Sequence, residues 1–205
     1  MPATLDYFMA PTSPWTYLGH QRLRDLCVGH AIPIRMMPID LGKVFPQSGG
    51  LPLPQRAPQR QAYRLVELAR WRDVTGLPLN VQPRFFPVGG DDAALVLIGA
   101  QLHHGDLAAL DLAGRVLRAV WAEDRNIADL QVMAALIAEA GLDGEAIAAR
   151  RSDALVRYEA NTKEAIARQV FGAPWYVWQD EPFWGQDRLD FLERALAAGR
   201  VGTRG

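Results

Sequence analysis

The chain has 205 residues, 49% of them hydrophobic, and a formal net charge of -1. That is enough apolar material for one large domain, or one domain with a sizeable insertion, and the scattered, nearly balanced charge argues against nucleic acid or an acidic membrane as a partner. A single cysteine, Cys27, excludes an internal disulfide and a cysteine-based metal cluster.

The N-terminus, Met1-Pro2-Ala3-Thr4-Leu5-Asp6, has no basic region and no long apolar run, so it does not read as a signal peptide. No stretch approaches membrane-spanning length, and the expectation is a soluble, cytoplasmic protein. Leu5–Met9 predicts a short buried strand. Pro11 to Pro14 is a turn, and a helix follows over about 14–30. Ser13 then stands as an N-cap with Pro14 at the first helical position, where a missing N–H costs nothing. The amides and dipole at such a helix start favour an anion. Ile32–Ile39 reads as a second strand, completing a βαβ unit with a parallel pair. Cys27 falls on the apolar side of the first helix with Leu23 and Leu26, and reads as core. His20 and His30 read as helix-surface residues.

Residues 40–58 carry Gly42, Pro46, Gly49, Gly50, Pro52, Pro54 and Pro58 and read as a long loop. From about 59 to 75 the pattern is helical, with Tyr63, Val66, Trp71 and Val74, together with Leu65, Leu68 and Ala69, as its apolar face. Arg56, Arg60 and Arg64 share a helix-spaced stripe. It reads as a solvated face, with an anion-facing rim as the alternative. Residues 77–88 form an extended, proline-rich connection. Helical patterns follow at about 91–104, 106–123, 129–140, 143–150 and 152–170. Trp121 lies on an apolar stripe with Val116, Leu117 and Val120 and reads as core. His103-His104 lacks the i, i+4 spacing of a helical metal pair, so no metal is assigned.

Residues 175–178 predict a third strand, 179–182 a turn, and Phe183-Trp184 a short fourth strand, with Trp184 as strand core first and site wall second. A helix follows over about 187–198. The order is βαβ, a helical block, then ββα. The simplest assembly is one sheet built from both chain ends: an α/β unit over 1–41 and 170–205, with 42–169 as an all-helical insertion domain.

That order resembles the thioredoxin-like fold. Ala173-Pro174 sits where such proteins keep a cis-proline, and Ser13-Pro14-Trp15-Thr16 occupies the place of Cys-Pro-x-Cys. With both cysteines absent, dithiol–disulfide exchange at this site is impossible. Serine in the first position and a large helical insertion resemble the 2-hydroxychromene-2-carboxylate isomerases and the kappa-class glutathione transferases. Val170-Phe171-Gly172-Ala173-Pro174 with Phe183-Trp184-Gly185-Gln186-Asp187-Arg188-Leu189 strongly resembles the isomerase group, over essentially the whole chain.

The resemblance implies a glutathione cofactor. Ser13 would be the catalytic hydroxyl holding the thiolate, the nucleophilic form of the thiol. Ala173 and Pro174 would meet the cysteinyl backbone, with Trp184 beside them. Gln186, Asp187 and Arg188 would meet the γ-glutamyl end. Asp187 suits the ligand's ammonium, and Arg188 and the nearby helix amides suit its carboxylate. The implied reaction interconverts 2-hydroxychromene-2-carboxylate and trans-o-hydroxybenzylidenepyruvate, or a related pair from aromatic catabolism, in a homodimer. The substrate, a small aromatic carboxylate, would meet Lys43, Phe45, Arg56, Arg84 and Phe85. Where the naphthalene-pathway pattern has a lysine, an asparagine–arginine pair and a tyrosine, this chain has Phe45, Pro54-Gln55 and Phe85. A kappa-like glutathione transferase and a non-catalytic, thioredoxin-like peptide-binding protein are the alternative expectations.

Overall fold

The computed structural model describes residues 3–199; the expected ends of the α/β unit at 1–2 and 200–205 lie outside the described residues. A four-stranded sheet has the order β2-β1-β3-β4. Strand β1 (Leu5–Met9) pairs parallel with β2 (Ile34–Pro38), register Tyr7 to Met36. On its other edge β1 pairs antiparallel with β3 (Trp175–Trp178), register Tyr7 to Tyr176, and β3 pairs antiparallel with β4 (Glu181–Trp184). The α/β, thioredoxin-like architecture expected from the sequence is present.

Strand alternation gives the sheet two covered faces. Leu5, Tyr7 and Met9 join one core with Leu23 and Cys27 of α1 (Pro14–Gly29) and Leu110, Ala113 and Trp121 of α5 (Asp106–Trp121). Phe8, Met37, Trp175 and Val177 face the other way, against Ala165 of α8 (Arg151–Ala167) and Val170. Asp6 shares that second face. Burial pushes its carboxyl pKa up, but Arg35 at 2.7 Å and Arg168 at 2.5 Å together outweigh burial and hold it below the usual range. Helices α4 (Asp91–His104), α6 (Leu130–Glu139) and α7 (Gly144–Ala149) complete the helical block, with α4 packed on both α5 and α8. Trp121 is fully buried, as the apolar stripe predicts.

The expected long loop after β2 contains a helix instead, α2 (Leu41–Ser48). Asp40 caps it by accepting from the N–H groups of Gly42 (2.8 Å) and Lys43 (3.3 Å). Gly49 closes it in the left-handed conformation at φ 70°. Pro46, in its interior, removes only the bond that would reach back to Gly42, and a cap at each end tolerates that loss.

The expected apolar face of α3 (Pro58–Thr75) is also corrected. Tyr63, Val66 and Val74 are exposed, whereas Leu68 is fully buried and Trp71 half-buried. The helix therefore turns Arg64, Leu68 and Trp71 inward, at i, i+4 and i+7.

His20 is not a surface residue. It is 4% exposed, and its ring spans Tyr7 Oη at Nδ1 (3.1 Å) and the Leu110 carbonyl at Nε2 (2.9 Å). A carbonyl only accepts, so Nε2 carries the proton and Nδ1 accepts from the tyrosine. Burial lowers the imidazole pKa, which keeps the ring neutral. The missing side chain of Gly114 makes the room: a Cβ there would stand 3.3 Å from His20 Cδ2. Trp184 is corrected too, being 51% exposed rather than strand core.

Candidate active site

β1 delivers the chain into a turn in which Ser13 N donates to Ala10 O at 3.0 Å, and α1 begins immediately. Ser13 has the extended backbone of an N-cap (φ -80°, ψ 124°), and its Oγ accepts from Thr16 N at 3.2 Å. The same hydroxyl donates to Ala173 O, also at 3.2 Å. Ala173-Pro174 is a cis peptide directly ahead of β3. One hydroxyl thus joins the start of α1 to the entrance of the third strand, at a position only 8% exposed.

The first turn of α1 has few donors left. Pro14 has no N–H, Thr16 N is capped, and Tyr17 N bonds Ser13 O at 3.0 Å. Trp15 N–H has no partner among the described residues. The Thr16 hydroxyl is buried, likewise without one. An anion placed here meets one free amide, the helix dipole, and a serine hydroxyl that has only to turn from a carbonyl. Cys27 stands apart, 2% exposed, with burial pushing its thiol pKa up to about 12. It is no nucleophile.

The C-terminal motif closes in from the other side. Gly185 adopts φ 99°, a conformation that strains any side chain, and its N–H bonds Pro174 O at 3.0 Å. The short 3-10 turn Gln186–Arg188 follows, then α9 (Leu189–Ala198). Gln186 is 5% exposed and lies against Gly19 of α1, where a Cβ would stand 2.8 Å from Gln186 Cβ. Asp187 and Arg188 pair with each other at 2.7 Å, and both are partly solvated. Trp184 packs edge-on to Phe171 with ring centroids 4.6 Å apart, and its Nε1 occupies the space a Gly172 side chain would need. It walls the loop that presents Ala173.

The expected substrate residues separate into three places. Lys43 is exposed on α2 and pairs with Asp40 at 3.6 Å. Arg56 spans Phe45, 5.8 Å above the ring centroid, and its Nε donates to Leu51 O at 2.8 Å. Arg84 is exposed and lies over Phe85 at 5.1 Å. A different basic residue, Arg64, is the inward-facing one. The 83–90 segment ends beside the Ser13 turn, because a Cβ on Gly90 would stand 3.0 Å from Thr12 Cγ2. The helical spacing of Arg64 to Leu68 is the sequence signal for its inward direction.

A DSBA-like thioredoxin domain model matches residues 4–197. The chain is 34% identical over 197 residues to a 2-hydroxychromene-2-carboxylate isomerase of Pseudomonas putida, covering 94% of this chain and 93% of that one. It is 32% identical to the enzyme of the same name from Pseudomonas sp. (strain C18), covering 96% and 92%. A solved 2-hydroxychromene-2-carboxylate isomerase structure superposes with a TM-score of 0.80 at 30% identity, covering 95% of each chain.

Proposed function

The chain belongs to the DSBA-like thioredoxin-domain family, among the 2-hydroxychromene-2-carboxylate isomerases, and from that premise we propose a glutathione-dependent isomerase that interconverts 2-hydroxychromene-2-carboxylate and trans-o-hydroxybenzylidenepyruvate or a close analogue. The observation that carries the reading is the Ser13 hydroxyl at the α1 N-terminus, hydrogen-bonded to Ala173 O, with the chain's own cysteine buried elsewhere. The sulfur must come with a ligand.

The residues present fit glutathione. Ser13 Oγ and Trp15 N–H would hold its thiolate, and the Ala173 backbone its cysteinyl unit. Asp187 and Arg188, paired with each other at 2.7 Å, carry the two charges that complement an ammonium and a carboxylate on one carbon. Exchanging that internal pair for the γ-glutamyl end leaves no charge unmatched. The chemistry the bound cofactor supplies is reversible thiolate addition to the conjugated substrate, which makes a double bond rotatable and leaves glutathione unconsumed.

Ser13 favours thiolate over thiol by donating a hydrogen bond to the charged form, an effect the helix dipole reinforces. The buried setting keeps water from competing for that bond. The backbone contacts and the Asp187–Arg188 pair hold the reacting sulfur in position, converting a bimolecular encounter into a local one. None of the described helices is long and apolar enough to cross a membrane. The reading includes a cytoplasmic homodimer, whose apolar face the exposed Tyr63, Val66 and Val74 of α3 would supply.

The test is to follow the interconversion of the two isomers optically, with and without millimolar glutathione. Turnover that needs glutathione and consumes none supports the reading. A stable thioether product would instead make the protein a transferase, and turnover without glutathione would remove the cofactor from the mechanism.

A further inference from the structure

Arg64 is a half-buried cation with no ion-pair partner among the described residues. It sits on the inward face of α3, its Cζ lying 5.1 Å from the Phe86 ring centroid and 5.5 Å from that of Trp121. The two rings pack at 4.7 Å, tilted by 49° to each other, and both flank the guanidinium. Its Nη2 is buried without a hydrogen-bond partner among the described residues. Burial, with the charge of Arg56 added to it, lowers its pKa to about 10, so the group is still charged at neutral pH. Three other partly buried arginines meet carboxylates, Arg24 with Asp111 at 2.7 Å, Arg125 with Glu139 at 3.0 Å, and Arg168 with Asp6, and Arg56 donates to the Leu51 carbonyl. Arg64 meets two aromatic faces and a second cation.

Aromatic stacking uses the face of a guanidinium and leaves its N–H edge for a planar acceptor. A carboxylate fits that edge with two parallel hydrogen bonds. The chain from Phe86 runs four residues to Gly90, which abuts Thr12, the neighbour of Ser13. One short segment therefore has the cation at one end and the reactive hydroxyl at the other. Lys43, already paired and exposed, and Arg84, exposed, offer no comparable seat.

We propose that Arg64 receives the carboxylate of the aromatic substrate, with Phe86 and Trp121 flanking its guanidinium and restraining where it sits. The assignment rests on the isomerase reading above for the identity of the substrate, and on the unpartnered Nη2 beside the two rings for the site.

The experiment uses two unreactive probes, chromone-2-carboxylate and chromone-2-carboxamide, titrated calorimetrically against the wild-type protein, Arg64→Met and Arg64→Lys. The wild type should bind the carboxylate at least tenfold more tightly than the amide. Arg64→Met, which keeps an unbranched apolar stem against Phe86, should bind both alike, and Arg64→Lys should recover part of the preference. In turnover, Arg64→Met should raise KM for 2-hydroxychromene-2-carboxylate at least tenfold and leave the KM for glutathione unchanged. Equal binding of the two probes by the wild type, or no binding of the carboxylate, overturns the proposal without recourse to any variant. A carboxylate preference that survives in Arg64→Met overturns it as well. The two readings fail separately. Isomerisation with normal KM in Arg64→Met removes only the Arg64 assignment. An Arg64-dependent carboxylate preference in a protein that shows no glutathione-dependent turnover removes only the isomerase reading.

Discussion

Ser13 Oγ and Ala173 O, 160 residues apart in sequence, face each other across 3.2 Å, and the same oxygen caps the first helix through Thr16 N. Stability and the proposed chemistry therefore meet in one hydroxyl. Ser13→Ala should destabilise the fold by about 1 kcal/mol, the usual worth of an N-cap. It should lower kcat by about 10²- to 10³-fold, the scale of losing one donor to a developing or stored anion. Ser13→Thr, which retains the hydroxyl, should keep the melting temperature and recover most of the turnover. Equal activity in Ser13→Ala and wild type would reduce Ser13 to a cap.

Gly19 lets the Gln186–Arg188 turn sit directly on α1. A methyl group there would stand 2.8 Å from Gln186 Cβ and 3.1 Å from Tyr176 Oη. Alanine favours the helix by about 1 kcal/mol over glycine, but neither contact involves a flexible side-chain end that can swing away. Gly19→Ala should displace the turn and weaken glutathione binding by roughly tenfold, the change expected when one charge-assisted bond of about 1.5 kcal/mol is lost. The readout is the glutathione-induced shift in melting temperature. An undiminished shift would separate residues 186–188 from the ligand.

His20 links the sheet to the helical block through Tyr7 and the Leu110 carbonyl. Removing it strands a buried hydroxyl and a buried carbonyl, so His20→Ala should cost about 2–4 kcal/mol. Its folded pKa lies below the unfolded value, first because of burial and further because of the Arg24 charge, while the Leu110 bond and Asp111 act the other way. The unfolded chain then binds the proton more readily. The contribution is complete above about pH 6.5, the unfolded pKa, and is lost as pH falls through the folded value. Denaturation across pH 8 to 5 should show this loss in the wild type and not in His20→Ala.

Cys27 should be silent. With a thiol pKa of about 12 and 2% exposure, it should not react with a disulfide reagent in the native protein at pH 8 and should release one equivalent on unfolding. Cys27→Ala should leave glutathione-dependent turnover unchanged. Rapid native labelling would show that the first helix opens.

Most of the local grammar can be read from residue order. Ser13-Pro14 announces a capped helix, and the apolar runs at 5–9 and 175–178 announce buried strands. The misread places depend on distant partners. His20 looks like a polar helix residue until Tyr7 and Leu110 supply its hydrogen bonds and Gly114 its space. Tyr63, Val66 and Val74 look like the core face of α3 until Leu68 and Trp71 take that role and bring Arg64 inward with them. Helix α2 was hidden by the glycines and proline at 42, 46, 49 and 50, because propensity counts breakers singly while Asp40 and Gly49 act as a pair of caps. The proximity of Ser13 to Ala173 was legible from motifs at both chain ends. The seat of Arg64 was not, because it depends on how Phe86 and Trp121 pack.

The sheet order has a consequence for how the molecule is made. β1 is an inner strand, but its antiparallel neighbour β3 begins only at residue 175. At typical elongation rates of about 5–20 residues per second, a nascent β1–α1–β2 unit waits roughly seven to twenty-seven seconds for that neighbour. During that interval Leu5–Met9 offers an apolar strand with one open edge, a template for pairing with another chain. The intervening helices, built from contacts close in sequence, can form meanwhile and cover the face of β1 that Tyr7 presents. The hydroxyl of Ser13 can meet the Ala173 carbonyl only after residue 173 has been made, so a chain stalled before its C-terminal hairpin lacks that contact while much of its scaffold is already built.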